Sequence, residues 1–384
     1  MQIFSLREFT PPGDVTALRA EVRALIAAHE HRWEPEQRAN PWFSFDAEFS
    51  LALGAAGFLG MTWPKEYGGH ERHALERYVV IEELLANGAP SGLHWIADRQ
   101  TGPLLLKYAN ERLKQKYLPG MAAGEIYACI GLSEPNSGSD LASVRTFAEK
   151  TPEGWRVNGQ KVWTSGAHKS QAALTLLRTV AGSERQAGLS QLMIDLDLPG
   201  ITIRPIIDMT GCHHFNEIFF EDVLVPLDAL VGEEGYGWKQ VTAELALERS
   251  GPERYLSSHA LLVALIDHAG PEPEPGVAEL IGRLTAELWT LRQMSLSTAA
   301  KLAAGDDPMV EAAIVKDLGN DYEQAMPRLV QAVVANTDGG IDMGDDTPLA
   351  RLLSFIMVQS PSYSLRGGTP EVLRGIIAKG LGLR

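Results

Sequence analysis

Several strings in the sequence contain part of a known catalytic motif, and each departs from that motif at an essential residue. Gly131–Pro135 (Gly-Leu-Ser-Glu-Pro) has proline where a nucleophile elbow needs its second glycine. Gly235–Gly237 lacks the third glycine of a dinucleotide fingerprint and follows no predicted strand. His213 and His214 are adjacent, so they share no helix or strand face on which both could bind one metal ion. These residues therefore predict no serine nucleophile, no Rossmann site and no metal centre.

Five strings, one of which contains Gly131–Pro135, combine glycine with hydroxyl, aromatic or charged residues. They are Gly57–Gly69, Gly131–Asp140, Asn158–Gly166, Phe219–Pro226 and Gly367–Arg374. Taken singly, their residues have structural explanations, with Trp163 as a core aromatic and Ser133 and Ser165 as strand hydroxyls. Asp140 suits a turn in which its side chain bonds its own backbone. Glu134, before a proline at the end of a strand, is interpreted as a residue that fixes a loop.

The spacing of apolar residues divides the chain into three segments. The helices and strands predicted in these segments must position the five strings. The first, residues 1–125, is predicted to be helical, because Asp14 is a good N-cap and apolar residues follow it at helical spacing. Residues 126–232 contain short β-branched and aromatic runs between turn residues, which predict an antiparallel barrel or sandwich. Residues 233–384 return to helical spacing and predict a bundle of antiparallel helices.

Local signals set the expected limits of several elements. One helix is predicted over residues 74–86, because Asn87-Gly88 follows it. Another is predicted to end at Pro119-Gly120. The Asn158-Gly159 pair between two β runs predicts a hairpin turn. The proline-rich stretch Pro271–Pro275 predicts a loop.

Composition and charge narrow the classes of function. The 384 residues are 45% hydrophobic and 22% charged, which is typical of a globular chain of two or three domains. A net charge of −15 argues against a general nucleic-acid binder, although a few arginines could still hold a small anion. Two cysteines, Cys129 and Cys212, cannot build a disulfide framework. Since no apolar run or signal pattern suits a membrane span or secretion, we expect a soluble cytoplasmic protein.

In their order and separations, the five strings resemble the acyl-CoA dehydrogenase family of FAD-dependent flavoproteins, over nearly the whole chain. The resemblance implies a multi-domain α and β fold: an N-terminal helical domain over 1–125, a middle β-barrel-like domain over 126–232 and a C-terminal four-helix bundle over 233–384. It also implies that a base removes the α-proton of an acyl-CoA thioester while the β-hydrogen leaves as hydride to flavin N5. Hydrogen-bond donors must then stabilise the charge that develops on the thioester carbonyl oxygen.

The resemblance assigns cofactor and substrate contacts residue by residue. Five residues match positions around the flavin ring: Ile130, Leu132, Ser133, Trp163 and Ser165. The first three match the strand that lines the ring and bonds its pyrimidine edge, and the last two match positions that flank its N5 side. Thr369 and Glu371 match positions that contact the adenine-dinucleotide part of FAD. Ser139 matches a position that contacts the bound thioester.

The family places its catalytic glutamate at one of two positions. The commoner position lies just before the Gly-Thr of the last motif, where this chain has Gly367 beside Arg366, and neither can act as a carboxylate base. The other lies in a Glu-Arg pair on the first helix of the C-terminal bundle, here Glu248-Arg249. Glu248 is therefore the predicted base, in a dry pocket that raises its pKa, and Arg249 is a predicted substrate-positioning residue. The alternative is a solvated ion pair on the helix surface.

A second departure concerns the neighbouring subunit. Many family members carry an arginine after the first bundle helix that reaches the flavin pyrophosphate of a neighbour, whereas Asp267–Gly276 is acidic and proline-rich. With Gly367 and Glu248, this pattern is similar to that of two-subunit bacterial dehydrogenases, whose substrates include bulky sterol side-chain thioesters. The resemblance implies acyl-CoA and an electron-transfer flavoprotein as partners, a homo- or hetero-tetramer, and a role in lipid or steroid catabolism.

Two other functions are compatible with the same residues. The chain could be a non-catalytic partner subunit that completes another chain's flavin site, which the missing arginine supports and Glu248 opposes. It could also be a flavin oxidase or monooxygenase on the same fold, because oxygen access depends on how the pocket closes. The length and branching of the acyl group do not follow from the sequence.

Overall fold

The computed structural model describes residues 6–8, 13–248, 251–336 and 346–383. The chain forms two compact units, the first from residues 1–44, 73–91 and 248–384 and the second from residues 45–72 and 92–247. Helices, then a sheet, then helices follow one another along the chain. This order confirms the predicted fold class, while the domain boundaries at 125 and 232 stay predictions.

The helices are numbered in chain order. They are α1 Val15–His29, α2 Pro35–Arg38, α3 Ala47–Ala55, α4 Ala74–Ala86, α5 Gly92–Ile96, α6 Gly102–Tyr108, α7 Glu111–Ala122, α8 Gly237–Glu248, α9 His259–Ala269, α10 Pro275–Ala303, α11 Met309–Val334, α12 Pro348–Gln359 and α13 Pro370–Gly380. Among the described residues, no helix combines the length and the apolar character that crossing a membrane requires.

The strands are β1 Ala128–Gly131, β2 Phe147–Thr151, β3 Gly154–Ser165, β4 Ala172–Arg178, β5 Leu189–Asp195, β6 Ile201–Ile207, β7 His213–Val225 and β8 Leu230–Val231. They form one sheet in the order β6-β7-β3-β2-β4-β5-β8, and β1 pairs with β4 outside this path. Strands β1 and β2 run parallel to β4, and the other pairs are antiparallel. The strand order is an open path, so the middle region is the expected β-rich region without the closure of a barrel.

Helices of the first unit begin and end where local signals predict. The Asp14 side chain accepts hydrogen bonds from the backbone N–H groups of Thr16 and Ala17 at 2.9 and 3.0 Å, so the predicted N-cap of α1 is confirmed. Helix α4 spans the predicted residues 74–86, and the predicted loop separates α9 from α10, although its last predicted residue, Pro275, begins α10. These signals are local, so they do not depend on tertiary packing.

The predicted hairpin at Asn158-Gly159 is wrong, because β3 runs straight through this pair. The turn lies earlier, between β2 and β3, where Thr151 pairs with Gly154. Asn158 instead exchanges hydrogen bonds with Asp222 of β7, at 3.0 Å to the carboxylate and 2.9 Å from the backbone N–H. Gly159 has a φ of +146°, and a Cβ there would lie 2.6 Å from Thr146 Oγ1. The glycine therefore serves a close backbone approach at an irregular ladder, not a turn.

The predicted helix end at Pro119-Gly120 is also wrong. Helix α7 continues through both residues to Ala122. Met121 and Ala122 are buried in the core that α6 and α7 form against the sheet. Burial of this last turn outweighs the hydrogen bond that Pro119 cannot donate.

Candidate functional site

In the second unit, the segment that leaves β1 carries three of the predicted flavin-ring residues. Ile130 lies in β1 opposite Leu174 of β4. Leu132 and Ser133 follow the strand, and all three residues are half-buried. The Ser133 carbonyl accepts a hydrogen bond of 2.9 Å from the backbone N–H of Val162 in β3. The structure thus places this segment directly beside the strand that carries Trp163 and Ser165.

Trp163 lies on the surface of the second unit, not in its core. Its side chain is 58% exposed, which excludes the core-aromatic interpretation. The ladder between β3 and β7 is irregular between Lys161 and Thr164, and Trp163 has a φ of +60° there. Its ring meets the edge of Phe215 of β7 at 5.8 Å between centroids. A bulky residue with left-handed backbone is strained, and such strain is concentrated at functional sites.

Ser165 ends β3, pairs with Phe215 and is half-buried. The next residue, Gly166, has a φ of +65° and donates its N–H to the His214 carbonyl at 2.9 Å. A Cβ on Gly166 would lie 2.1 Å from Leu93 Cδ2, so glycine is required for this bend. Trp163 and Ser165 therefore flank one short, tightly fixed stretch at the end of the strand.

Glu134 fixes a loop, as interpreted from the sequence. Its carboxylate accepts the backbone N–H groups of Arg145 and Thr146 at 2.7 and 2.8 Å and the Lys161 ammonium at 2.8 Å. Burial raises the pKa of Glu134, but Lys161 and these hydrogen bonds outweigh burial, so the pKa lies below its ordinary value. Burial lowers the pKa of Lys161 to about 8, against the opposing effect of Glu134.

The Gly138–Asp140 bend presents Ser139 on the surface. The backbone carbonyl of Asp140 accepts the hydroxyls of Ser137 and Ser143 at 2.8 and 2.7 Å. The Asp140 carboxylate pairs with Arg185 at 2.9 Å, so the turn is held by the backbone of Asp140 and not by its side chain. The contact of Ser139 with a thioester stays a prediction.

The two adjacent histidines have separate partners. His213 Nε2 lies 2.7 Å from Asn216 Oδ1, and His214 Nδ1 lies 2.7 Å from Asp208 Oδ2. The described residues contain no group of three or more potential ligands that could hold a metal ion. His213 also stacks on His168, in the turn after β3, at 3.8 Å between ring centroids. Its ring is therefore held by Asn216 and His168.

In the first unit, the last motif begins at a bend packed against arginines. Gly367 has a φ of +69°, and a Cβ there would lie 3.2–3.3 Å from the guanidinium atoms of Arg254. Arg366 donates to Ser257 Oγ at 2.5 Å and to Glu323 Oε2 at 3.0 Å. Burial lowers the pKa of Arg366, and Glu323 opposes this effect. The Arg254 guanidinium therefore lies against the position of the family's commoner base.

Thr369 and Glu371 open helix α13 in the first unit. Thr369 precedes the helix with extended backbone angles, and Glu371 lies exposed in the first turn. Hydrogen bonds from its own backbone N–H and from the Thr369 hydroxyl lower the pKa of Glu371. A carboxylate in the first turn is also stabilised by the helix dipole, so both residues have a structural role besides the predicted cofactor contact.

The predicted base lies at the limit of what the structure describes. Glu248 is the last residue of α8, and Arg249 lies outside the described residues. Their roles stay predictions.

Sequence reasoning missed Lys161 and Phe215, which connect the predicted flavin-ring residues to one another. Lys161 stands in a strand where a lysine is ordinarily taken as a solvated residue. Its partner Glu134 is close in space but lies 27 residues away in the sequence, so no local pattern indicates the pair. Phe215 becomes a neighbour of Trp163 through the irregular β3–β7 register, which no local pattern encodes.

Comparison with known proteins gives matches along the chain. A family model described as the acyl-CoA dehydrogenase N-terminal domain matches residues 13–125, and one described as the middle domain matches residues 129–223. Acyl-CoA dehydrogenase IpdE1 of Mycobacterium tuberculosis is 32% identical over 391 aligned residues, covering 95% of this chain and 97% of that protein.

Two solved structures have a similar fold over the full chain. A structure named Tcur3481-Tcur3483 steroid ACAD is 30% identical with a TM-score of 0.84, and the match covers 99% of both chains. The ChsE4-ChsE5 complex from Mycobacterium tuberculosis is 27% identical with a TM-score of 0.82, covering 99% of this chain and 100% of that one.

Proposed function

The chain belongs to the acyl-CoA dehydrogenase family, and we propose that it oxidises an acyl-CoA thioester between its α and β carbons with FAD as cofactor. The family membership makes it an oxidoreductase. The observation that carries the cofactor proposal is Trp163, a large aromatic side chain held outside the core by strained backbone. Bound FAD would supply the hydride acceptor.

The residues around Trp163 fit a flavin ring. The exposed indole offers an aromatic surface, and the half-buried Ser133 and Ser165 offer hydroxyl and backbone groups beside it. Ile130 and Leu132 would line the ring on the side of β1. In the first unit, the start of α13 at Thr369 and Glu371 would contact the adenine-dinucleotide part. Ser139 and Arg249 would contact the substrate.

Glu248 is the proposed base, whose carboxylate accepts the α-proton. Arg254 supports this choice, because its guanidinium makes the alternative position unsuitable. A carboxylate placed there would lie against the Arg254 guanidinium, which would hold its pKa low and weaken it as a base. A proton acceptor for a weakly acidic carbon needs the opposite environment.

The relatives suggest the class of substrate and the assembly. One matched structure is named a steroid ACAD and another is a complex of two named chains. We therefore propose bulky, largely apolar acyl-CoA thioesters of the steroid type as substrates. We also propose a homo- or hetero-tetramer that passes electrons to an electron-transfer flavoprotein.

The test begins with the absorption spectrum of the purified chain, where bound flavin supports the proposal. Adding a panel of straight, branched and steroid-type acyl-CoA thioesters without oxygen should bleach the flavin fastest with the bulky members. Reoxidation by air at a rate near turnover would instead indicate an oxidase. Protein that contains no flavin alone, but gains it with a second chain, would indicate a shared site.

The residue assignment has its own test. Replacing Trp163 and Ser165 together by alanine should lower FAD occupancy or change the flavin spectrum, because both the aromatic surface and a hydroxyl are removed. The matched control is Trp289→Ala, which truncates another exposed tryptophan on α10. An unchanged spectrum and occupancy in the Trp163/Ser165 variant would rule out this flavin surface.

A further inference from the structure

Lys161 is a wholly buried lysine in the strand that carries Trp163. Its side chain is 0% exposed. The ammonium donates to the Leu132 carbonyl at 3.0 Å and to Glu134 Oε1 at 2.8 Å. Its stem packs on Gly131, where a Cβ would lie 3.3 Å from Lys161 Cγ. A buried ammonium is costly unless paired and hydrogen-bonded, and here both partners belong to the segment that follows β1.

The pair joins three stretches of chain. Lys161 connects β3 to Leu132, and Glu134 connects that segment to the backbone N–H groups of Arg145 and Thr146. The N–H of Val162, next to Lys161, bonds the Ser133 carbonyl. The carbonyl groups of Leu132 and Ser133 both accept hydrogen bonds from β3. These bonds fix the orientation of the two peptide groups.

We propose that Lys161 is a positioning residue for the cofactor, which fixes the Ile130–Ser133 segment so that its exposed edge matches the flavin ring. This inference rests on the proposed function. Lys161 does not contact the cofactor itself, because its side chain is buried. It acts through the Leu132 carbonyl and Glu134. A residue of equal volume without the ammonium would take this donor from the Leu132 carbonyl and leave the Glu134 carboxylate with only the N–H groups of Arg145 and Thr146.

A positioning role differs from a purely structural one in what a paired replacement does. Removing Lys161 alone leaves the Glu134 carboxylate buried without its ammonium, which destabilises the fold. Replacing Lys161 by methionine and Glu134 by glutamine removes the stranded charge and keeps an acceptor oxygen for the N–H groups of Arg145 and Thr146, so much of the stability should return. The orientation of the Leu132 carbonyl does not return, so flavin binding should stay weak. Stability and cofactor affinity thus separate in the double variant.

The experiment compares Lys161→Met, Lys161→Met/Glu134→Gln and the parental protein. The FAD dissociation constant of each apoprotein, the absorption spectrum of bound flavin and the thermal midpoint of the apoprotein are measured. We expect Lys161→Met to lower the midpoint and to raise the dissociation constant about tenfold or more. The double variant should recover most of the midpoint while its dissociation constant stays raised. Lys150→Met is the control, because Lys150 forms an exposed pair with Glu234 in the same unit.

Three outcomes would overturn the inference. A double variant with the parental dissociation constant and spectrum would show that the pair only supports the fold. If the methionine variants do not fold, Lys161→Gln removes the charge and shortens the reach toward the Leu132 carbonyl while keeping a polar group in the site. A folded Lys161→Gln protein with parental FAD affinity and spectrum would contradict a positioning role. A parental protein that binds no FAD would overturn the proposed function itself, and this is seen without any variant.

Discussion

At the residue scale, the conformation and exposure of Trp163 both cost folding free energy, and such a cost is typical of a functional residue. A left-handed backbone costs a residue other than glycine about 1–2 kcal/mol, and a tryptophan that stays exposed forgoes the burial of a large apolar surface. Both costs fall on one residue, in the strand that ends at Ser165 and lies beside the Ser133 segment. Stability alone would favour glycine or a polar residue here, which supports the proposal that a ligand covers the indole.

Glu248 is the residue on which the proposed chemistry depends most directly. Glu248→Gln keeps the size of the side chain and removes its basicity. The variant should bind FAD and acyl-CoA but reduce its flavin about 10²- to 10⁴-fold more slowly in anaerobic stopped-flow mixing, as expected for a lost general base. Glu279→Gln, an exposed change on α10, is the control. Flavin reduction at the parental rate would place the base elsewhere.

A glutamate at the family's commoner position is not expected to rescue that variant. Gly367 has a φ of +69°, which a glutamate adopts only with strain, and its Cβ would lie against Arg254. Gly367→Glu in the Glu248→Gln background should therefore stay slow in the same assay. Substantial recovery would show that the Arg254 side chain moves away and leaves the new carboxylate basic.

His94 predicts how the stability of the second unit depends on pH. Burial lowers its pKa from 6.5 to about 4, although Asp98 opposes the shift. Between these values the unfolded chain binds a proton that the folded chain does not, so the free energy of unfolding falls as the pH decreases from 6.5 to 4. The full loss is on the order of 3 kcal/mol.

Chemical denaturation at pH 7, 5.5 and 4.5 measures this effect. His94→Gln should give a smaller loss of stability between pH 7 and 4.5 than the parental protein does. His70→Gln, an exposed change in the same unit, should leave the pH dependence as it is. Equal pH dependence in the parental and His94→Gln proteins would show that folding does not lower the pKa of His94.

At the element scale, the contact between β3 and the segment before β2 depends on Gly159. Gly159→Ala should lower the free energy of unfolding by about 1–3 kcal/mol, because its Cβ would lie 2.6 Å from Thr146 Oγ1. Gly182→Ala is the matched control, since Gly182 also has a positive φ but no atom within 4 Å of a Cβ. Equal losses in chemical denaturation would mean that backbone strain alone, and not close packing, requires the glycine.

The elements that follow from the sequence are those set by short-range signals. Helix α4 has the predicted limits because its period and its flanking residues lie within a few positions of one another. The Asn158-Gly159 pair carries an equally strong local signal for a turn, but its strand is held by β7, more than 50 residues away. Long-range register therefore overrides local turn preference in this sheet.

The candidate site shows the same limit. Ser133 and Ser165 follow from the order of the motifs, and the structure brings their segments together through the Val162–Ser133 hydrogen bond. The buried Lys161–Glu134 pair could not be predicted, because charge patterns along a strand do not reveal which side chains the sheet encloses. The exposure of Trp163 could not be predicted either, because it depends on an irregular ladder between β3 and β7, which are distant in the sequence.

At the scale of the whole molecule, the first unit leaves several large apolar side chains on its surface. They include Val263 and Ile266 on α9, Trp289 on α10 and Leu318 on α11. Scattered apolar residues are normal on a protein surface, but adjacent ones on bundle helices mark association surfaces. On α11, Val310 and Ile314 are half-buried one helical turn apart from each other and from Leu318. Val310 packs against Gly380 of α13, so Leu318 is the exposed residue of this row.

The exposed apolar side chains on α9, α10 and α11 predict an oligomer, and the family resemblance points to a tetramer. Sedimentation equilibrium at micromolar concentration should give a mass of several chains. Leu318→Asp should shift the mass toward the single chain of 41.8 kDa, because a carboxylate at the centre of an apolar contact is not compensated. Leu51→Asp on α3 is the control, since Leu51 is 45% exposed, as is Leu318, but lies in the other unit. A parental protein that sediments as one chain would contradict the prediction. An oligomer that Leu318→Asp leaves intact would show that the subunits associate through another surface.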